Sequence, residues 1–378
     1  MSVIHRAVVA SAVGVAAAAT AAFGLAPAAG AQARSSGSSF IGHFHHLKTI
    51  ASTVPGNGDV NPYGTVVIQR TQGDLHRGNV LISNFNNKKN LQGTGRTIVQ
   101  ITPGGKLSVF AKIRPKHLPG PCPGGIGLTT ALTVLPGGWV VVGSLPTASG
   151  MAATAKAGCL LVLDNTGHVR ETISGNGING PWDMTSASFG NMADLFVTNV
   201  LNGTVAANGK VVHGGTVLRL NLALYGSQPP KVTSITTIGS GFPQRTDPAA
   251  LVIGPTGVGL NSQGTLFVAN SLRSKINAIP FAVTRGSSAG QGMVVSVGGK
   301  LNVPLGLIVA PNGNVLTVNG GDGRIVETTP GGMQVASRFL DKSGSPPGAG
   351  ALFGLALTPK GNGVYYVDDA VNTLRLLH

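Results

Sequence analysis

The sequence has 378 residues, of which 42% are hydrophobic and only 10% are charged, against about 25% charged residues in an average soluble domain. This apolar share excludes wholesale disorder, and the 57 glycines lack a Gly-X-Y period, which excludes collagen. The formal net charge is +15, but the basic residues are scattered, without Lys/Arg blocks or interleaved aromatics. The charge therefore predicts loose attraction to acidic envelope polymers and no sequence-specific nucleic-acid binding.

An export signal is predicted for residues 1–33. His5 and Arg6 form a short basic start, an alanine-rich apolar run follows at 7–25, and Ala31-Gln32-Ala33 places small residues where a signal peptidase cuts. The alternative is an uncleaved membrane anchor, although alanine-rich spans insert weakly. No later stretch reaches the ~18 consecutive apolar residues of a membrane-spanning helix. We therefore expect a secreted protein, extracellular or periplasmic, without a transmembrane segment after processing.

An internal repeat predicts the architecture of the remaining chain. Six segments begin with a small residue, alternate through apolar residues and end on a small polar residue: 78–84, 138–144, 193–199, 264–270, 313–319 and 363–369. Their β-branched and aromatic residues, bounded by turn formers, are typical of buried strands. Each has a strand-like partner upstream, often joined to it by a Pro-x-Gly turn, and two further strands are expected downstream. Four antiparallel strands per unit, six times over, predict an all-β, six-bladed β-propeller.

The last unit has only three strands, because the chain stops at His378. Segment 46–53, in front of the first unit, reads like the outer strands elsewhere, so we expect this N-terminal strand to complete the sixth blade. Joining the two chain ends in one blade leaves no unpaired sheet edge. Residues 46–378 would then form the propeller and residues 34–45 a flexible leader, and we expect a monomer.

Two cysteines are present, Cys122 and Cys159. In an exported protein an even count favours a disulfide, and two free thiols are the alternative. Closing the loop between them would contribute about 3–4 kcal/mol in the chain-entropy model. A single pair is too small for a thiolate metal site.

The strand openers resemble those of a known group of propellers. Asn-Pro-Tyr-Gly at 61–64, Gly-Pro-Trp-Asp at 180–183, the Pro-x-Gly turns and the strands ending in Asn or Asp are similar to NHL-repeat six-bladed propellers. They also resemble the TolB-like group that includes regucalcin and gluconolactonase. The resemblance extends over residues 47–378 and implies the fold. It implies no single function, because such propellers include lactonases, lyases, ligand sensors and protein-binding modules.

A circle of polar residues is predicted around one mouth of the central channel, where the second strand of each blade ends. Its members are Asn84, Ser144, Asn199, Asn270, Asn319 and Asp369, and Asp183 of the Gly-Pro-Trp-Asp opener should project nearby. Converging amide and carboxylate oxygens would suit a divalent cation such as Ca²⁺, or a sugar or lactone. The alternative is that these side chains cap their own turns, as Asn and Asp commonly do.

Two loops on the same face are long, 145–157 and 200–214, whereas the corresponding turns after Asn319 and Asp369 have only a few residues. Binding residues often lie on long loops of a rigid scaffold, so we expect ligand near blades two and three, with His213 and Arg219 as available polar side chains. The alternative is that these Gly/Ala/Asn-rich loops are mobile decoration. The two tryptophans, Trp139 and Trp182, belong to strand motifs and are expected in the core.

Catalytic residues are scarce. The lactonase resemblance implies a glutamate among the ligands of a divalent cation at the strand openings, but no opener contains Glu, and Glu171 and Glu327 fall on outer and third strands. The likeness to virginiamycin B lyase implies a His/Glu pair, and no pair is suitably placed. The sequence thus favours a module that binds a small molecule, glycan or protein through its loop-rich face, without catalysis. The alternative is a metal-dependent hydrolase or lactonase of the gluconolactonase type.

Overall fold

The computed structural model describes residues 38–378, which form six antiparallel sheets arranged as a propeller. The first strand, β1 (Leu47–Ser52), belongs to the last blade. Blade one is then β2 (Val60–Val67), β3 (Val80–Asn86), β4 (Thr97–Ile101) and β5 (Leu107–Lys112), and blade two is β6 (Leu128–Leu135), β7 (Trp139–Ser144), β8 (Cys159–Leu163) and β9 (Val169–Ile173). Blade three is β10 (Gly180–Phe189), β11 (Met192–Val200), β12 (Val212–Tyr225), β13 (Gln228–Asp247) and β14 (Leu251–Ile253).

The second half of the ring repeats the same order. Blade four is β15 (Pro255–Leu260), β16 (Leu266–Asn270), β17 (Lys275–Ile279) and β18 (Met293–Val297). Blade five is β19 (Pro304–Val309), β20 (Val315–Asn319), β21 (Arg324–Thr328) and β22 (Gln334–Phe339), and blade six is β23 (Leu352–Leu357), β24 (Val364–Asp368), β25 (Thr373–Leu377) and β1. Single turns of 3₁₀ helix occur at Ile41–His43, Pro115–His117, Pro136–Gly138, Ala152–Thr154 and Ser271–Arg273. The predicted all-β, six-bladed propeller is confirmed.

The sixth blade is closed by both chain ends, as predicted. Strand β1 pairs antiparallel with β25, from Leu47 opposite Leu377 to Ser52 opposite Thr373. The backbone N–H groups of His45 and His46 both donate to the carbonyl of His378, and that of Thr53 donates to Asn372. This pairing leaves β1 as the outer strand of a four-stranded sheet.

The strands are apolar on both faces because each blade is packed between two others. In β7, Val140 and Val142 pack in a cluster with blade one, whereas Val141 packs in a cluster with blade three. Alternate residues of a strand therefore pack against different neighbouring blades. For this reason the second strand of each blade is a nearly continuous apolar run. Blade three departs from the regular pattern, since β13 has 20 residues and continues past its blade to pair with β14.

The inner strands of all six blades carry a bulge at the same place. The pairing register shifts between Pro62 and Thr65 in β2, and at the equivalent point in each other inner strand. Four blades have glycine within this bulge: Gly64, Gly257, Gly306 and Gly354. A Cβ at Gly306 would collide with the carbonyl of Phe353, and one at Gly354 with the carbonyl of Tyr63. Glycine therefore lets the inner strands approach each other around the axis.

The two cysteines form the predicted disulfide. Cys122 lies in the loop before β6 and Cys159 begins β8, with 5.2 Å between their Cα atoms. The bridge ties the entry of blade two to its third strand.

Residues 38–45 are packed on the propeller, which corrects the expectation that they belong to a flexible leader. Ile41 is fully buried in the cluster formed by blades five and six. The carboxylate of Glu327 on β21 accepts hydrogen bonds from the hydroxyl of Ser39 and from the backbone N–H groups of Phe40 and Ile41. The predicted signal segment 1–33, and residues 34–37, lie outside the described residues. Within 38–378, no helix has the length and hydrophobicity needed to span a membrane.

Candidate functional site

One end of the central channel is closed by aromatic side chains. Tyr63, Trp182 and Phe353 come from the inner strands of blades one, three and six, and their ring centroids are 3.9 to 6.5 Å apart. Phe85 stacks on Tyr63 at 4.6 Å. Since blades three and six lie on opposite sides of the ring, these side chains meet on the axis. We call this the closed end; it lies at the amino ends of the inner strands, on the loop-rich face.

The channel continues beyond the closed end as a cavity of about 290 Å³. Its lining runs from the strand bulges, at Asp183, Thr130 and Gly354, to the carboxyl ends of the inner strands, at Gln69 and Leu357. Side chains become more exposed in that direction, from buried Thr130 to exposed Gln69. The cavity therefore opens on the face opposite the loop-rich face, and we call this the open end.

Asp183 projects into the channel, one residue beyond Trp182. Its side chain is 8% exposed, and its two oxygens accept hydrogen bonds from the backbone N–H groups of Met184 (2.9 Å) and Val258 (3.1 Å). Val258 belongs to blade four, so the carboxyl joins two blades at the position where four other blades have glycine. Burial raises the pKa of Asp183 well above its usual range, although both N–H groups act in the opposite direction.

Two members of the predicted circle fold back on their own blades. The amide oxygen of Asn199 accepts from the backbone N–H groups of Asn179 and Gly180, and its nitrogen donates to the carbonyl of Gly177. Asn319 makes the same kind of contacts in blade five, with the backbone of Asn302 and the carbonyl of Lys300. These bonds are those of turn-capping side chains.

The other members are spread around the ring. The hydroxyl of Ser144 bonds to the backbone of Gly125 and Gly127 in the loop before β6. Asn84 donates to the carbonyl of Thr53, and Asn270 donates to Gln291. Within the described residues, Oδ1 of both asparagines is buried without a hydrogen-bond partner. These asparagines belong to blades one and four, on opposite sides of the ring.

Asp369 and Asn84 both lie near the seam between blades six and one. Burial, and secondly the neighbouring Asp368, raise the pKa of Asp369 to about 7. Tyr63 lies close enough for Asp369 to raise the pKa of its phenol further, beyond the larger effect of burial. In the part of the chain that the structure describes, Asn61 Oδ1 and the Tyr63 hydroxyl also have no hydrogen-bond partner. The seam is thus rich in unpaired oxygen atoms.

A divalent cation does not fit on the propeller axis at the closed end. The aromatic rings of Tyr63, Trp182 and Phe353 occupy it, and Asn199 and Asn319 have used their oxygens in turns. Among residues 38–378, no three His, Cys, Asp or Glu side chains are grouped as metal ligands. The structure therefore brings Asn84 and Asp369 to one seam but does not gather the circle around one point.

The two long loops form a groove on the loop-rich face, which we call the blade 2–3 groove. Its volume is about 520 Å³, and its lining includes Met151 and Ala152 from the first loop, Val205 from the second, and Arg245 and Asp247 from the end of β13. Hydrogen bonds tie its walls to the scaffold: the backbone N–H of Gly209 donates to Thr246 Oγ1 of β13, and the hydroxyl of Thr147 donates to the carbonyl of Gln92 in blade one. Arg245 and Asp247 form an ion pair of 2.9 Å.

His213 and Arg219 differ in their surroundings. His213 is exposed near the beginning of β12, next to the loop that lines the blade 2–3 groove. Arg219 is buried and donates to the carbonyls of Ala282 and Val283, so it fastens a turn of blade four to blade three. A ligand-binding role for His213 stays a prediction.

Sequence reasoning missed several residues of these sites. Thr65 and Thr130 line the channel, but a threonine in a strand pattern carries no signal of its own. Arg245 lies near the end of the 20-residue strand β13, and no residue pattern predicts a strand of that length. Met151 and Val205 lie in the loops 145–157 and 200–214, and the length of these loops is the sequence signal that points to them.

No protein-family model and no curated protein sequence matches this chain. Solved structures do. A protein assigned as a gluconolactonase is 15% identical, with a TM-score of 0.56 over 88% of this chain and 91% of that one. A gluconolactonase from Xanthomonas campestris is 13% identical (TM-score 0.55, 88% of each chain), and the calcium-binding protein regucalcin from Agrobacterium tumefaciens is 12% identical (TM-score 0.54, 88% and 93%). The predicted resemblance to such propellers is confirmed for the fold.

Proposed function

We propose that this protein is a non-catalytic binding module that holds a partner in the blade 2–3 groove of its loop-rich face. The observation that supports this most directly is the groove itself, an apolar depression with hydrogen-bonded walls between two long loops of the face. Rigid scaffolds with variable loops commonly bind their ligands in such places. The signal segment predicted at 1–33 and the disulfide favour an oxidising compartment outside the cytoplasm.

The partner that suits the groove is an acidic peptide segment with an apolar anchor residue. Met151 is 60% exposed in the groove, and an exposed methionine adapts to apolar side chains of different shape. Lys88, Lys89, Lys156 and Lys210 are exposed on loops of the same face. Together with the formal net charge of +15, they favour an acidic partner.

A peptide-display selection against the mature protein tests this function. We expect the selected peptides to combine acidic residues with one large apolar residue, and to lose affinity with rising salt. Met151→Asp should abolish their binding, whereas Met333→Asp should not, because Met333 is exposed on the opposite face in the turn after β21. Peptides that bind Met151→Asp as well as the wild type would place the partner elsewhere, and selective binding of a glycan array would change its class.

A metal-dependent hydrolase or lactonase is the second candidate, because proteins described as gluconolactonases have this fold. Such an enzyme needs oxygen ligands for its divalent cation, and in this chain the unpaired oxygens at the seam of blades six and one are the best candidates for them. Turnover in a lactone and ester panel with added Ca²⁺, Zn²⁺ or Mg²⁺, lost in Asp369→Asn, would favour this candidate. Calorimetry without divalent-cation binding would remove it.

A further inference from the structure

The open end of the channel has the form of a second binding site, on the face opposite the blade 2–3 groove. Its volume of about 290 Å³ is close to the lower limit of ligand pockets, roughly 300 Å³, and corresponds to about ten water molecules. The aromatic side chains at the closed end make it a dead-end pocket rather than a pore. It is built from the inner strands of all six blades.

The two sides of this pocket differ in chemistry. Blades one to three contribute hydroxyl and amide groups, from Thr65, Gln69, Thr130, Thr133, Thr185 and Ser186, beside the apolar Val66, Val67, Leu132 and Met184. Blades four to six contribute aliphatic side chains: Leu260, Leu307, Ile308, Val309, Leu355 and Leu357. A molecule that fills the pocket therefore meets side-chain hydroxyl and amide groups on one side only.

Two hydroxyl groups near the closed end lack partners. Thr65 Oγ1 and Thr130 Oγ1 are buried and make no hydrogen bond within residues 38–378. An unsatisfied buried hydroxyl is costly, so both favour an occupant that can hydrogen-bond to them. Asp183 lines the same pocket, with each of its oxygens already accepting one backbone N–H.

The pocket is suited to an uncharged occupant. Asp183 is its one ionisable residue among those described, and burial raises the pKa of that carboxyl well above the usual range. Its charged form is therefore disfavoured, which makes the pocket a poor site for a cation. No Lys, Arg or His lines the pocket to balance an anion.

We infer that the open end binds a small, neutral, amphipathic molecule, with its hydroxyl-bearing end at Thr65, Thr130 and Asp183 and its aliphatic part against blades four to six. This site is separate from the blade 2–3 groove, so each can be tested without the other. Exchange of the occupant occurs through the rim formed by Gln69, Ser186 and Leu357.

Three probes of related shape test this assignment on the mature protein by saturation-transfer NMR. We expect 1,2-hexanediol to bind saturably at millimolar concentration, because it has a hydroxylated end and an aliphatic chain. Glycerol lacks the chain and hexanoate carries a charge, so both should bind at least about tenfold more weakly. Failure of the diol to bind saturably, or equal binding of hexanoate, would overturn the assignment.

Two variants locate the binding. Leu357→Trp narrows the rim and should abolish binding of the diol. Thr130→Val removes one unpaired hydroxyl without removing a hydrogen bond, so it should fold normally and weaken binding about fivefold to tenfold. Thr317→Val is the matched control, since Thr317 is also buried with an unpaired hydroxyl but lies on β20, away from the pocket. Equal losses in the two threonine variants, or none in either, would contradict the site even if Leu357→Trp failed to fold.

Discussion

The two ends of the central channel are built from the same six strands, but side chains close one end and leave the other open. At the closed end, Tyr63, Trp182 and Phe353 lie within the strand bulges and fill the axis. At the open end the same strands finish in partly exposed residues such as Ile308 and Leu357, and no ring reaches the axis. The loops of the closed end are also fastened by the disulfide in blade two.

The closed end is thus filled by packed side chains, whereas the open end leaves the channel accessible. Because the aromatic residues close the axis on the loop-rich face, partners on that face meet the periphery, where the blade 2–3 groove lies. The opposite face has an accessible channel, although two of its connections, 68–79 and 280–292, are also long. A propeller can therefore present a groove at one end and a pocket at the other, and substitutions at the two ends should have different consequences.

The largest effect is expected at the bulges that bring the inner strands together. Gly306→Ala would push a Cβ into the carbonyl of Phe353, and backbone of the next blade cannot move away easily. We expect a loss of about 4 kcal/mol or more in the free energy of unfolding, or failure to fold. Urea denaturation measures it. Gly286→Ala is the control, because nothing lies near its Cβ and its φ is not in the left-handed region; equal stability of the two variants would contradict the tight ring.

Removing an aromatic ring should distinguish the two ends directly. Trp182→Ala leaves a cavity on the axis at the closed end and should cost about 3–5 kcal/mol. Leu260→Ala, at the partly exposed open end, should cost less than half as much. Chemical denaturation of both variants checks this, and a larger loss for Leu260→Ala would show that the open end, not the aromatic stack, holds the ring together.

The fold could be predicted because its signals are local. Alternating apolar residues and Pro-x-Gly turns occur within each unit, and segment 46–53 has the pattern of an outer strand without reference to its partner β25. The orientation of Asp183 could not be predicted, because the bulge after Pro181 changes which side of the strand faces the axis. Four other blades have glycine at this position, a residue that often marks a bulge, but blade three has Asp183 there and its sequence gives no such sign.

Contacts between residues far apart in the sequence could not be predicted either. Glu327 accepts hydrogen bonds from Ser39 and Ile41, which precede it by more than 280 residues. The sequence around β21 therefore does not indicate that residues 38–45 pack on the propeller. The role of the turn-capping asparagines could be predicted in part. Asn199 and Asn319 bond within their own blades, so turn capping was accessible from the sequence, but the choice between capping and ligand binding depended on side-chain directions.

The contact of Glu327 with the N-terminal segment, at the side of the ring away from the loop-rich face, should have an intermediate effect. Burial alone would raise the pKa of Glu327, but hydrogen bonds from Phe40, Asn314, Ile41 and Ser39 outweigh it and lower the pKa. Glu327→Gln should cost about 2 kcal/mol at neutral pH, since hydrogen bonds to a charged group are lost. Because the folded pKa is lowered, this stabilisation is present above about pH 4.5 and is lost as the pH falls.

Hydrogen exchange of the Phe40 and Ile41 amides measures this contact locally. Both should exchange faster in Glu327→Gln, while amides of β7 in blade two remain unchanged. Unaltered protection of the two amides would mean that apolar packing of Ile41, rather than the carboxylate, orders residues 38–45.

The smallest effect is expected at the closed end, from Asp369. Its pKa is raised to about 7, chiefly by burial and then by Asp368, so the folded state favours the protonated carboxyl. Stability from this group is therefore complete at low pH and is lost as the pH rises from about 4 to about 7. Asp369→Asn should remove this part of the pH dependence and stabilise the protein by about 1 kcal/mol at pH 8, less than full linkage because Asp369 is partly exposed. Thermal unfolding of both proteins across this range measures the difference. If the two curves stay parallel, the carboxyl is already solvated or paired, and the closed end has no titrating group that opposes its packing.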